Sequence, residues 1–285
     1  IAGLQYQKED MVATSYSKNY QTDIYLNSVY LDPSGLNFNA GLRYNIHEAY
    51  GGHLIYSLNP SFSFSLNENY QIKVMSSYSK AFIAPSLYQL YDPSYGNEFL
   101  DPENNLSFEL GFEIRSTQSA LNIVYFNRKQ KPTLIFNTTP TDTKPFGSYD
   151  NSDREIIYRG LEFAYDFELF EKAKTRLNYI FTETRYGDLR SIPKHSISGV
   201  LDISFTTKAK LNLIGQFTGN RIANDFSELD PYSLFTIQIN YQLEKLNTDL
   251  FLSVFNLFDT QFVVIPHYQS RGRNILIGLK VNLLG

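Results

Sequence analysis

Across residues 234–244 apolar and polar side chains alternate one for one. Phe235, Ile237, Ile239, Tyr241 and Leu243 fall on one side, Thr236, Gln238, Asn240, Gln242 and Glu244 on the other. A period of two marks an extended chain with one apolar face, because successive Cβ atoms of a strand project to opposite sides. The same alternation sets Ile275, Ile277, Leu279, Val281 and Leu283 against Asn274, Gly278, Lys280 and Asn282. It recurs in Leu161, Phe163, Tyr165, Phe167 and Leu169 against Glu162, Ala164, Asp166 and Glu168, and in Leu36–Tyr44. About 14 such segments are predicted, near the length that a tilted membrane strand needs. They span 1–10, 22–32, 36–46, 52–66, 69–82, 106–117, 119–134, 154–169, 173–185, 196–206, 209–219, 233–244, 248–258 and 273–284. The pattern predicts no amphipathic helix.

The connections sort by parity. Short ones fall at 32–35, 67–69, 117–119, 170–172, 207–209 and 244–247; the alternate, mostly long set falls at 11–21, 47–51, 83–105, 135–153, 186–195, 220–232 and 259–272. An antiparallel up-and-down transmembrane β-barrel produces this sorting, with tight turns on one rim and loops on the other. A soluble β-sandwich shares the alternation but has no cause to sort its loops. The polar face is rich in Asn, Gln, Ser, Thr and Gly rather than Lys and Glu, which suits a wet or plugged lumen behind a lipid-facing exterior. The alternatives to a larger transporter barrel are a complete 14-stranded passive channel and the sandwich, a soluble binding module.

Composition narrows the chemistry. The 285 residues include 22 Tyr and 22 Phe, which fit aromatic girdles at membrane interfaces. Mean hydropathy is slightly negative, as strands that hide their apolar residues in a period of two allow. With no Cys, disulfides, thiolate catalysis and thiolate metal sites are excluded, and a net charge of −4 argues against a nucleic-acid partner. Ile1 opens directly in strand-like text without an initiator Met or signal peptide, so a fragment is expected whose N-terminal part lies elsewhere.

Residues 78–113 carry a recognisable text. Tyr78-Ser79-Lys80-Ala81-Phe82-Ile83-Ala84-Pro85-Ser86-Leu87-Tyr88-Gln89-Leu90-Tyr91 is followed by Tyr95-Gly96-Asn97, Leu100-Asp101-Pro102-Glu103 and Phe108-Glu109-Leu110-Gly111. Two further segments are Tyr125-Phe126-Asn127-Arg128 with Gly160-Leu161-Glu162, and Val254-Phe255-Asn256-Leu257-Phe258-Asp259 with Gly272-Arg273-Asn274. Together, and in this order, they resemble the barrel signature of TonB-dependent outer-membrane receptors, and Pro85–Tyr91 most resembles the cobalamin-receptor branch. The resemblance implies a barrel of about 22 strands with a plugged lumen. It also implies an outer-membrane location in a Gram-negative bacterium and active uptake of a scarce large nutrient. Cobalamin comes first, a ferric siderophore or haem next. The TonB energy-transducing complex would act through a plug, and some receptors of this type add a surface lipoprotein lid. Against that pattern residues 1–285 are expected to be the C-terminal barrel portion, without the plug, the energy-coupling box or the first strands. Gly285 stands where the family ends in an aromatic.

Candidate sites follow from residue types. Rigid rings bind a large, flat ligand at low entropy cost. The expected ligand-binding residues are therefore the loop aromatics Tyr88, Tyr91, Tyr95, Phe99, Phe146, Tyr149, Phe262, His267 and Tyr268, with Tyr16 and Tyr20 in the first loop. Their alternative role is packing of loop on loop, or membership of the outer aromatic girdle. Phe82 and Leu87 are expected to anchor the loop base, and Pro85 to stop strand pairing. His47 and His53 flank one short loop without an evident third metal ligand; Asp92, Glu98, Asp101 and Glu103 lack calcium-loop spacing. No nucleophile elbow is present, and neither His195 with Asp188 nor His267 with Ser270 has favourable spacing, so no enzyme, cofactor or metal is expected.

Overall fold

The computed structural model describes residues 1–12, 16–186, 191–223 and 226–281. The Tyr16 side chain, Asp188, the end of the last predicted strand (282–284) and Gly285 lie outside that description. The chain opens with β1 (Ala2–Val12), β2 (Tyr16–Leu31), β3 (Leu36–His47), β4 (Gly51–Ser65) and β5 (Gln71–Ile83). A short helix, α1 (Leu87–Tyr91), precedes β6 (Glu103–Arg115) and β7 (Ser119–Gln130). A small hairpin, β8 (Thr133–Asn137) and β9 (Ser148–Ser152), leads to β10 (Ile156–Phe170), β11 (Ala173–Arg185), β12 (His195–Ser204) and β13 (Ala209–Thr218). A second, β14 (Arg221–Ile222) and β15 (Glu228–Leu229), precedes β16 (Tyr232–Leu243), β17 (Thr248–Phe255) and β18 (Asn274–Val281).

Fourteen of these strands form one antiparallel sheet in chain order, broken only by the two hairpins, which sit in loops as separate two-stranded sheets. A single sheet in which each strand pairs with the next is the wall of an up-and-down barrel, and it excludes the two facing sheets of a sandwich. Among the described residues β1 and β18 are not paired with each other, so the sheet is an open wall rather than a closed ring.

Register keeps the two faces apart. One row runs Val74–Phe112–Ile123–Phe163–Tyr179–Ile197–Phe217, and the row behind it runs Lys73–Glu113–Asn122–Ala164–Asn178–Ser198–Gln216. A slip of one residue would exchange the faces, so each strand's alternation fixes its pairing. The apolar row is largely uncovered: Val74, Phe112, Phe163 and Ile197 are all exposed. In a water-soluble fold that would be an aggregation hazard; here it is the surface that meets hydrocarbon. The buried apolar residues lie mostly elsewhere: Leu87, Leu90 and Leu100 in loop 84–102, and Ala223 and Leu229 in the β14–β15 excursion.

Three sequence expectations need correction. Residues 87–91 are helical, because Ser86 and Gln89 form a capping box that starts a turn where no long apolar period advertises one. Tyr20 lies within β2 rather than a loop, and its ring stacks on Tyr6 at 6.2 Å. Residues 133–134, expected at the end of a long strand, instead begin β8 after the chain turns at 131–132.

The two faces carry a direct test. Phe163→Lys, on the apolar row, is expected to destabilise the membrane-embedded sheet by about 2–4 kcal/mol, whereas Ala164→Lys next to it should cost under about 1 kcal/mol. Denaturant unfolding in lipid vesicles reads the difference.

Candidate functional site

The site is built by loop 84–102 folding back over the polar face. β5 ends at Ile83, and Pro85 cannot donate to a neighbouring strand. The Ser86 hydroxyl accepts from the Gln89 amide at 3.2 Å, while the Ser86 amide donates to Gln89 Oε1 at 2.8 Å, satisfying donors at both ends of the first turn. α1 then buries Leu87 and Leu90, and Leu100, further along the same loop, is 2% exposed. Ser86 and Pro85 close a cavity of about 300 Å³ against the polar face of β1–β3, where Asp23, Asn45 and His47 are buried. Asn45 Nδ2 donates to Asp23 Oδ1 at 2.8 Å. The loop therefore overhangs the lumen.

Loops 84–102 and 131–155 are joined by backbone-directed hydrogen bonds. The Asp101 amide donates to Asn151 Oδ1 (2.7 Å) and Asn151 Nδ2 to the Asp101 carbonyl (3.0 Å). The Tyr149 amide donates to the Tyr95 carbonyl (2.9 Å), Asn97 Nδ2 to the Tyr149 carbonyl (3.1 Å), and Lys144 Nζ to the Pro93 carbonyl (3.0 Å). At the base the buried Glu103 carboxylate accepts from Gln130 Nε2 (2.7 Å) and from the Leu134 amide (2.6 Å). A buried carboxylate is tolerated only with such charge-assisted partners. Gly147, at φ +92°, turns the chain into β9 where a Cβ would stand 2.3 Å from the Asn137 carbonyl oxygen. Between the two loops lies a cavity of about 600 Å³ lined by Tyr91, Phe99 and Lys144 among others.

The predicted aromatics divide. Tyr88, Tyr149 and Tyr95 come together through Phe136, which the sequence reading did not single out. The ring centroids are 6.2 Å apart for Tyr88–Tyr149, 5.2 Å for Phe136–Tyr149 and 5.8 Å for Tyr95–Phe136, all edge-on. Tyr95 and Tyr149 thus pack loop on loop, while Tyr88 stays half open to solvent. Phe99 is 93% exposed, and Phe146 is also exposed. Phe262 is in a separate group, 4.7 Å from Tyr232, whose ring also faces the Arg221 guanidinium at 5.1 Å; Arg221 Nη2 donates to the Val263 carbonyl at 2.7 Å. His267 and Tyr268 are exposed in the same loop. The short apolar run Leu134-Ile135-Phe136, set off by Pro132, was the signal for the first hairpin, and hence for Phe136.

The other candidates take structural roles. His47 Nε2 meets Asn19 Nδ2 at 2.8 Å and its Nδ1 accepts from the Ala49 amide at 3.2 Å; His53 stacks on Phe82 at 3.7 Å. Asp92 accepts from the Ser94 and Tyr95 amides, both at 2.9 Å, shaping the turn after α1. His195 lies against Tyr179 and Phe181 on the apolar face. Among the described residues no cluster of three or more His, Cys, Asp or Glu could hold a metal ion.

Recognisable motifs prove architectural as well. A Cβ on Gly96 would stand 2.6 Å from the Asp92 nitrogen and 2.7 Å from the Leu90 carbonyl oxygen, so only glycine lets the chain pass beneath α1. Asn256 accepts from the Thr260 amide (2.9 Å) and donates to its carbonyl (3.0 Å). Asp259 holds the Arg273 amide at 2.7 Å where β18 begins.

Residues 2–257 match the family model described as TonB dependent receptor-like, beta-barrel, and the chain belongs to that family. It is 26% identical over 243 residues to the vitamin B12 transporter BtuB of Vibrio cholerae, covering 82% of this chain and 38% of that protein. It is 27% identical over 266 residues to the ferric enterobactin receptor of Pseudomonas aeruginosa, covering 77% of this chain and 35% of that one. The chain thus spans less than half the length of these relatives. Among solved structures, the siderophore receptor PirA of Pseudomonas aeruginosa superposes with a TM-score of 0.75 at 22% identity, over 98% of this chain and 50% of that one.

Two predictions test the loop unit. Glu103→Ala is expected to free the Leu134 amide, costing about 2 kcal/mol of local stability and raising hydrogen exchange throughout 131–155. Tyr50 donates from its hydroxyl to the Leu100 carbonyl at 2.9 Å, and burial, then Tyr91 and Asp101, push its pKa up to about 12. Above the ordinary value of 10.0 the unfolded chain loses this proton first, so loop stability should fall as pH rises from there toward about 12. Ultraviolet titration of the tyrosines should show a late-ionising component that Tyr50→Phe reduces.

Proposed function

We propose that the chain is the C-terminal barrel portion of an outer-membrane receptor of a Gram-negative bacterium, importing a scarce large nutrient with energy from the TonB system. The plug and first strands would lie in another segment of the same polypeptide. Support comes from the open wall, whose β1 and β18 are not paired among the described residues, and from its share of its relatives' length. A complete 14-stranded passive channel would need those two strands to pair.

The observation that carries the proposal is the loop unit itself. Loops 84–102 and 131–155 form one hydrogen-bonded body over a polar wall, with Tyr88, Tyr91 and Phe99 presented at a cavity or to solvent. Prepositioned rings and peptide groups suit a bulky ligand with flat faces and many hydrogen-bonding groups, because little ordering remains to be done on binding. Cobalamin is the first choice, by likeness to a vitamin B12 transporter, and a ferric siderophore or haem the next. The barrel acts as a passive wall; the loops capture ligand, and the plug, moved from the inner membrane, releases it inward.

Equilibrium binding of cobalamin, a ferric siderophore and haem to the full-length receptor tests this. Replacing Tyr88, Tyr91 and Phe99 together with Ala should weaken the preferred ligand about tenfold or more, roughly 1.4 kcal/mol, with barrel assembly intact. Tyr95→Ala should instead loosen the loop unit. Unchanged affinity in the triple variant would mean that these loops are not the capture site.

A further inference from the structure

Beneath loop 84–102 the polar face carries more hydrogen-bond acceptors than it satisfies. Three lumenal rungs cross β1, β2 and β3: Gln7–Gln21–His47, Gln5–Asp23–Asn45 and Gly3–Tyr25–Arg43. Their amide N–H groups are spent toward two carboxylates. Gln21 Nε2 donates to Gln7 Oε1 at 2.9 Å, and Gln7 Nε2 donates to Glu9 Oε1 at 2.8 Å. On the other side Asn45 Nδ2 donates to Asp23 Oδ1, and it reaches Gln21 Oε1 only at 3.5 Å. An ionised carboxylate accepts and cannot donate, so Asp23 fixes which way the Asn45 amide turns and sends its oxygen away from the pair. That oxygen, on a residue 4% exposed, has no hydrogen-bond partner among the described residues.

Asp23 is equally short of partners. It is buried, its carboxylate accepts from the neutral Asn45 amide, and it has no ion-pair partner among the described residues. A buried carboxylate so placed is costly unless a further donor completes it. His47 does not supply a charge, because its Nδ1 accepts from the Ala49 amide and the ring is therefore neutral. Arg43 lies one rung below, its guanidinium over the Tyr25 ring at 5.7 Å, and it too has no carboxylate partner among the described residues. Gly3 makes room for that ring, since a Cβ there would stand 2.3 Å from the Tyr25 hydroxyl oxygen. Glu9, Asp23, Arg43 and Asn45 all line the cavity of about 300 Å³ beneath Pro85 and Ser86. Its wall thus offers two acceptors and, beside them, a donor.

Charge selects what fits. An anionic group would face Asp23 and Glu9 across a cavity in which water screens little, and an ammonium would meet Asp23 but face Arg43. A primary carboxamide is uncharged and has two edges. Its N–H groups suit Asn45 Oδ1 and the second Asp23 oxygen, and its carbonyl suits the Arg43 guanidinium. We infer that Asp23, Asn45 and Arg43 form a subsite for a primary carboxamide arm of the imported nutrient. α1 starts at the roof of this cavity, so a flat ligand held at Tyr88 and Tyr91 extends one arm down the wall beneath the loop. The inference rests on the receptor reading proposed above and deepens it. Of the ligands named there, cobalamin bears carboxamides around its periphery, whereas haem ends in carboxylates and a ferric siderophore holds its iron through anionic oxygens.

Equilibrium binding to the full-length receptor tests the subsite. The probes are cobalamin and its monocarboxylic acids, in each of which one peripheral carboxamide is hydrolysed. At neutral pH at least one acid should bind about tenfold or more weakly than cobalamin, because the buried acceptors would then be left unpaired. Asp23→Asn, whose amide can donate where the carboxylate could not, should close most of that gap for the same acid. Asn45→Leu should weaken cobalamin about tenfold and leave that acid, which has no N–H to offer, nearly unchanged. Lys73→Gln, lumenal but at the short-turn end, should leave every ratio as it was. Should the Asp23 and Asn45 variants not assemble, the unsubstituted receptor's ratios carry the test alone. Equal affinity for cobalamin and all its acids, or an Asp23→Asn variant that shifts them all alike, would mean that the cavity takes water only and would overturn the inference. A receptor that binds haem or a ferric siderophore and not cobalamin would also overturn it, while leaving the receptor reading standing. Binding of none of the three would overturn both.

Discussion

A peptide group in hydrocarbon has no water to bond with, and this constraint dictates the rest of the molecule. It requires each strand to be paired along its length, and residue-by-residue registers such as that of β5 with β6, unbroken from Gln71–Arg115 to Ile83–Glu103, are the response. Once the backbone is satisfied within the wall, side chains are sorted by solvent. Leu, Phe and Tyr go to lipid, and Asn, Ser, Gln and paired charges to the lumen. The wall thus needs little apolar interior, and its exposed Leu and Phe are where they belong.

Beyond the membrane the rules of water-soluble proteins return. Among the described residues, loop 84–102 and the β14–β15 excursion hold most of the buried apolar side chains, two or three in each. So few are not enough to hold a loop alone, and hydrogen bonds to the backbone do the remaining work. Asn97, Asn151, Lys144 and Glu103 each reach a peptide group of the neighbouring loop. A side chain that grips backbone fixes position whatever the partner residue is, which leaves the presented rings free to vary.

The wall was legible in the sequence because period-two alternation is a direct print of its two solvents. Pairing order followed from the sorting of loops by length. The loops were less legible because their structure comes from contacts distant in sequence. Asp101 and Asn151 are 50 residues apart, and nothing in either segment announces the other. Tyr88, Tyr91, Tyr95 and Phe99 look alike as letters, yet Tyr95 is drawn into packing by Phe136 while Phe99 stands free, a difference set by the fold of the β8–β9 hairpin. The helix escaped notice because five residues are shorter than any window that reports amphipathicity, although its capping box is written in Ser86 and Gln89. The family motifs were visible as text, and Gly96, Glu103, Asn256 and Asp259 show the physical work behind them: close passage, a carboxylate clamp and two loop fasteners.

The reciprocal bond between Asp101 and Asn151 also governs how the exposed surface can diversify. Residues 138–143 lie at the tip of the second loop, between β8 and β9 and before the Lys144 contact, and exchanges there leave Asn151 in place. Changes between Asn151 and β10, by contrast, shift the register in which the two loops meet and demand a matching change near Asp101. The tip is thus mechanically uncoupled from the joint, whereas a change in the segments flanking the joint moves both of its partners.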